Sequence, residues 1–258
     1  MASSQAGLSA SRRTLFVRQL KHAEANNTNS SFRTVTPNET ASASDTPLSP
    51  STNKKVYSCT TEKKRALNFS PDERGLSSLR VGAGDYSDRW AYGSTINFAA
   101  FADKYPKTGY AELAARELNN AAEEWNAVKL GVKFKWVTNL EEAAFVLAYG
   151  GDNGDTLAEA FFPNGKDINT LNVYRKAFEE ENIQHLKNIF LHELGHVLGL
   201  RHEFAAEREA GVRSSQIGTA NPESVMSYSF PPKIQESDKE YGRQFYSLLP
   251  IRDFEPDN

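Results

Sequence analysis

The chain has 258 residues, which leaves room for one domain of ordinary size plus a tail. Its 30 Lys and Arg against 33 Asp and Glu give a net charge of −3, with a pI near 6.0. That balance carries no signature of nucleic acid or of a membrane surface as partner, and no stretch approaches the length of a membrane span.

A mean hydropathy of −0.59 reflects a dilution at one end. Residues 1–80 are rich in Ser, Thr and Asn, carry Pro37, Pro47, Pro50 and Pro71, and hold few large apolar side chains. Such a segment buries too little surface to offset its chain entropy, so it is predicted to be a disordered N-terminal tail, a targeting or pro-segment. Arg12, Arg13, Arg18 and Lys21 precede the first acid, Glu24. This is the composition of a mitochondrial transit peptide, and equally of a basic disordered tail. No apolar run follows Met1 to support a secretory signal, and one cysteine suits a reducing compartment, which favours an intracellular reading. The sequons opened by Asn26, Asn29, Asn38 and Asn68 all lie in the Ser/Thr-rich tail, where such triplets arise by composition. Cys59, the lone cysteine, reads as a free thiol in a flexible segment.

Residues 81–250 form the predicted domain, with 251–258 as a C-terminal tail. Trp90 to Phe98 reads as a first strand. From Tyr110 to Ala127, Leu113, Leu118, Ala121, Ala122 and Trp125 recur at helical intervals and mark a first long helix. Val132–Trp136 alternates strictly, as a half-buried strand does, and Ala143–Tyr149 is a continuous apolar run that reads as an inner strand. A Gly/Asp loop at 150–155 and a strand near Asp167–Tyr174 follow. Glu179, Glu180 and Glu181 precede a helix in which Ile183, Leu186, Phe190 and Val197 face the core, the acids favouring its positive end. Ser237 and Asp238 are predicted to cap a last helix running to Tyr246.

The chemistry is concentrated in His192-Glu193-Leu194-Gly195-His196-Val197-Leu198-Gly199-Leu200-Arg201-His202. Residues four apart project from one face of a helix, so His192 and His196 can share a metal. Glu193 lies beside the first ligand, where it can hold and deprotonate an attacking water. Gly199 tolerates the positive φ of a sharp turn that brings His202 back as a third nitrogen. Three protein ligands leave a fourth position open, as catalytic zinc sites do; a closed structural site needs four. His185 lies about 10 Å further along the axis, too far to ligate the same ion, and reads as a surface or second-layer residue.

The pattern HExxHxxGxxH resembles that of the metzincin zinc endopeptidases. Downstream, Ser224-Val225-Met226-Ser227-Tyr228 is similar to their methionine turn, in the form of the serralysin and astacin branches. The resemblance implies that Met226 packs as a floor under the metal, and that Tyr228 is a fifth ligand that swings away to stabilise the tetrahedral intermediate. Upstream, Gly154 to Pro163 resembles the matrixin edge strand above the cleft. It implies that Leu157, Ala158, Glu159 and Ala160 bind an extended polypeptide substrate by strand addition.

The implied fold is α+β and metzincin-like, over roughly residues 85–248: a twisted mixed sheet of about five strands with three main helices. The implied activity is a zinc metalloendopeptidase with one catalytic Zn²⁺ and Glu193 as general base. The alternative is a catalytically silent zinc-binding module that holds a peptide, and a third class is hydrolysis of a non-peptide amide.

Branch features disagree. Glu203 after His202 is similar to astacins, where that acid is structural, yet the domain has no cysteine for their disulfides. The calcium repeats that follow a serralysin domain are lacking. The loop at 150–155 resembles the matrixin metal-binding loop without its zinc histidines; it reads first as a polar turn, with a calcium site as the alternative. Matrixin propeptides block their zinc with one thiolate, but Tyr57-Ser58-Cys59-Thr60-Thr61 does not match that switch sequence. The pair Gly84-Asp85 is only faintly similar to the inhibitory acid of astacins.

Overall fold

The computed structural model describes residues 35–37, 59, 79–81, 88–164, 168–203, 215–247 and 252–254. The basic run before Glu24, the sequons, Gly84-Asp85 and most of both predicted tails lie outside the described residues.

A five-stranded mixed sheet is the frame, as expected. Its strands are β3 (Thr95–Ala100), β4 (Lys133–Trp136), β5 (Phe145–Tyr149), β6 (Ala158–Glu159) and β7 (Asn169–Val173), in the order β4-β3-β5-β7-β6. The first four in that order are parallel, and β6 runs antiparallel to β7 at one end of the sheet. β1 (Leu79–Val81) lies between β8 (Leu200–Arg201) and β9 (Ser215–Ile217), antiparallel to both. β2 (Asp88–Trp90) pairs in parallel with β10 (Arg252–Phe254).

One predicted strand is in fact two. The run from Trp90 to Phe98 turns at residues 91–94, where Gly93 has φ +90° and the Ser94 N–H donates to the Ala91 carbonyl. An apolar run conceals such a turn, because one glycine in the left-handed region redirects the chain without interrupting hydrophobicity.

The first long helix, α1 (Tyr110–Val128), buries Ala111, Ala114, Ala115, Leu118, Ala121, Ala122, Trp125 and Val128. The stripe is rich in alanine, so α1 packs closely against the metal helix, residues 186–197. The acids at 179–181 do not lead into that helix. They belong to a separate short turn, α2 (Glu180–Ile183), and the chain breaks at Gln184 and His185 before the metal helix, α3 (Leu186–Val197), begins. His185 therefore sits just ahead of α3; its ring packs edge-on to Phe230 with centroids 5.2 Å apart.

The last helix, α4, spans Glu236–Ser247. Ser237 and Asp238 both lie inside its first turn, and the Asp238 Oδ2 accepts from the Gln235 N–H at 2.8 Å. This is the reach-back half of a capping box, so the acid acts from within the helix and does not precede it as a cap. No helix among the described residues is long and apolar enough to cross a membrane.

Candidate metal centre

The metal helix is buried nearly all round, from Ile189 through Val197 without a break. Distant side chains take up backbone carbonyls along it. Trp125 Nε1 donates to the Leu191 carbonyl at 2.9 Å, and Trp90 Nε1 donates to the Val197 carbonyl at 2.8 Å. The Tyr246 hydroxyl donates to the Leu198 carbonyl at 3.0 Å. The last carbonyls of a helix have no partner within it, so the second and third of these bonds let α3 end inside the protein. The chain then turns at Gly199, whose φ is +95°. A Cβ there would strike the Asp88 carbonyl, so the turn needs glycine for space as well as for conformation.

That turn brings His202 back to the helix. Its Nε2 lies 3.1 Å from His192 Nε2 and 3.2 Å from His196 Nε2. All three imidazoles are buried. His192 Nδ1 lies 2.8 Å from the Val225 carbonyl, and His196 Nδ1 lies 2.8 Å from the Leu200 carbonyl. A carbonyl only accepts, so in both rings Nδ1 carries the proton and Nε2 points a lone pair inward. Burial first, then His202 and His192, hold His196 well below the usual imidazole range, which keeps that ring neutral.

Converging lone pairs repel one another unless a cation lies among them. A tetrahedral zinc with arms of about 2.0–2.1 Å places its nitrogen ligands about 3.3 Å apart, close to the separations seen here. The donor set and its spacing fit zinc.

The fourth donor is Cys59. Its Sγ lies 3.7 Å from His196 Nε2, and the four ligand atoms of Cys59, His192, His196 and His202 all lie within 4.8 Å of one another. Zinc–sulfur and zinc–nitrogen arms of about 2.3 and 2.0 Å give a tetrahedral edge of about 3.5 Å. Cys59 is thus no free thiol in a flexible segment: it is 5% exposed and forms a parallel bridge with Ala158 on β6. It stands 137 positions from His196, so no local spacing reveals the pairing.

The remaining predicted site residues surround this cluster. Glu193 is fully buried next to the first ligand, and its charge reaches the Tyr174 phenol. Met226 is fully buried against Gly195, where a Cβ would collide with its Sδ. The Tyr228 ring centroid lies 5.0 Å from that of His202. Leu157, Ala158, Glu159 and Ala160 lie at the β6 edge and are all buried. The Glu159 carboxylate accepts from the Tyr174 hydroxyl at 2.8 Å, so its side chain is engaged within the domain. In the loop at 150–155, Asp152 accepts from the Gly154 N–H at 3.1 Å and pairs with Arg175 at 3.1 Å, which satisfies its carboxylate as a polar turn does.

The sequence marks Glu203 as a structural acid by resemblance and Asp238 as a helix cap, but not that both hold the methionine turn. Asp238, on α4, accepts from Ser224 Oγ at 2.6 Å and from the Val225 N–H at 2.9 Å. The Glu203 N–H donates to the Met226 carbonyl at 2.9 Å, and its carboxylate accepts from the Asn221 N–H at 2.8 Å. Gly195 gave no signal beyond its place between the two histidines.

Metal helix, returning third histidine, a methionine turn buried against Gly195 and a final helix are the parts of a zincin-type site. A protein-family model described as Met-zincin matches residues 175–249, the stretch that carries the metal helix, the methionine turn and the last helix, which supports a metzincin-clan family. No curated protein matches the chain.

Proposed function

We propose that this chain is a zinc-dependent endopeptidase whose resting site is closed by its own Cys59. The observation that carries the reading is the buried His192-His196-His202 triad with Glu193 beside its first member. A zinc ion held by that triad supplies a Lewis acid that polarises a scissile carbonyl. Glu193 has the position of a general base: it takes a proton from the attacking water and returns it to the leaving amine. Tyr228, beside His202, donates a hydrogen bond to the developing oxyanion. Val225 and Leu200 orient two ligand rings through their carbonyls, which fixes the tautomers that the metal needs.

A polypeptide suits the site because β6 is the end strand of the sheet, and a sheet edge binds an extended chain by backbone hydrogen bonds.

A second reading has one observation in its favour. Four protein donors make a closed set, which is the pattern of a structural zinc site and of a module that binds without cutting. The deciding experiment is digestion of an unstructured protein by the Cys59→Ser chain, with and without chelator, beside the same chain carrying Glu193→Ala. Cleavage by the first alone, lost to chelator, supports the peptidase. No cleavage by a Cys59→Ser chain that holds one zinc favours the closed structural site.

A further inference from the structure

One aromatic side chain stands between the end strand of the sheet and the metal ligands. Phe162 follows β6 by three residues and is half-buried. Its ring meets that of His196 nearly at right angles, with centroids 5.4 Å apart and an interplanar angle of 76°. The Arg201 guanidinium lies over the Phe162 ring, its Cζ 4.4 Å from the centroid, and Arg201 is 4% exposed. The Phe162 carbonyl accepts from Asn164 Nδ2 at 2.6 Å, and the same amide donates to Asn169 Oδ1 on β7 at 3.1 Å. Phe162 is thus fixed to the sheet through its backbone and to β8 through its ring.

We propose that Phe162 and Arg201 are positioning residues for the second metal ligand: Arg201 holds the Phe162 ring, and that ring holds the plane of the His196 imidazole. This rests on the zinc reading above. The bond from His196 Nδ1 to the Leu200 carbonyl sets the tautomer and one direction of the ring. A single hydrogen bond does not fix the tilt of the ring about its own axis. Nε2 lies off that axis, so a tilt swings its lone pair away from the point where His192 and His202 converge. An aromatic ring packed at right angles against the imidazole blocks the tilt. A buried guanidinium over the face of Phe162 in turn keeps that ring in place. Arg201 also stands between Leu200, whose carbonyl holds His196, and His202, the third ligand. One side chain therefore ties the strand that leads to the third ligand to the ring behind the second.

The test reads two quantities that lost packing alone does not move in a chain that stays folded. They are zinc affinity, by competition with a chromogenic chelator, and the visible ligand-field bands of the full chain loaded with one cobalt(II) ion. Phe162→Leu is expected to lower zinc affinity about tenfold, the lower end of the usual effect of removing a support behind a ligand, and to shift the cobalt bands. Phe162→Tyr keeps the ring and is expected to hold both at parent values. Arg201→Gln is expected to lower affinity about three- to fivefold, the worth of a cation over a ring. It should add nothing in the Phe162→Leu chain, because it acts through that ring. Parent values of both readouts in a folded Phe162→Leu chain, whatever its unfolding midpoint, overturn the proposal. Equal losses in Phe162→Tyr and Phe162→Leu overturn the role of the ring, and losses that add in the double variant overturn the action of Arg201 through Phe162. If Phe162→Leu does not fold, Arg201→Gln decides, and parent values of both readouts there overturn the proposal. A parent chain that binds no zinc overturns the zinc reading itself, and the proposal with it.

Discussion

Gly195 and Met226 fit against each other so closely that the helix residue between the two histidine ligands has no room for a side chain. A Cβ on Gly195 would collide with Met226 Sδ and approach Trp125 within 3.7 Å. Met226 is fully buried, and Trp125 is held in place by its bond to the Leu191 carbonyl. Neither neighbour has solvent to retreat into. Gly195→Ala is expected to cost about 1–3 kcal/mol of stability through overpacking. It should also lower zinc affinity, because the clash falls on the helix between His192 and His196. Denaturant unfolding and a competition titration against a zinc chelator measure the two effects. Parent-like values in both would rule out the tight fit.

Asp238 acts on the metal site from the last helix. Its carboxylate accepts from Ser224 Oγ, the Val225 N–H and the Gln235 N–H. The Val225 carbonyl in turn holds His192 Nδ1. Burial pushes the Asp238 carboxyl up, while those three donors pull it down. Asp238→Asn keeps the shape and loses the charge that strengthens each bond, for an expected cost of about 1.5–3 kcal/mol. Through Val225, zinc affinity is expected to fall about 10–100-fold, the usual effect of removing a support behind a ligand. A stability loss with unchanged zinc affinity would show that Asp238 supports the fold but not His192.

The ligand triad was legible in the sequence because its geometry is local. Helical periodicity puts His192 and His196 on one face, and one glycine accounts for the return of His202. The long helices were legible for a similar reason, since Leu118, Ala122 and Trp125 repeat at helical spacing. Cys59 was not, because its contact with the triad joins segments 137 positions apart and depends on the whole sheet being assembled. The turn at Gly93 and the break at Gln184 and His185 were hidden too. Each is a change of backbone direction inside a stretch whose composition hardly changes. Asp238 was recognised as a helix-terminal acid, but its hold on Val225 requires α4 to pack beside the methionine turn.

Two tyrosines, Tyr174 buried and Tyr105 half-buried with its hydroxyl enclosed, make the fold sensitive to alkali. Burial, then Glu112, raises the Tyr105 hydroxyl far above its ordinary value near 10. Burial, then the hydrogen bond and charge of Glu159, raises that of Tyr174. Each phenol keeps its proton in the folded chain at a pH where it ionises in the unfolded one. Stability from this source is complete below about pH 10 and declines as pH rises above it, because the unfolded state is then favoured by losing protons. Urea unfolding from about pH 8 to 11 should show that decline, and Tyr105→Phe should reduce its slope. An unaltered slope in a folded Tyr105→Phe chain would remove Tyr105 as a source.

Removing the metal leaves three imidazole nitrogens converging in a buried place, two of the rings with their protons already committed to carbonyls. The apoprotein must then hold lone pairs facing one another without a cation, or separate the ligands and disturb the packing around them. A ligand that binds only the folded chain stabilises it by about 2.7 kcal/mol at roughly one hundred times its dissociation constant. Chelation is therefore expected to lower the unfolding midpoint, and restoring zinc should raise it in proportion to the logarithm of free zinc. Glu193→Ala should keep this metal dependence, since the ligand atoms that converge are those of Cys59, His192, His196 and His202. His196→Ala should abolish it. An unfolding midpoint indifferent to zinc in the parent chain would mean that the cluster holds no zinc in solution.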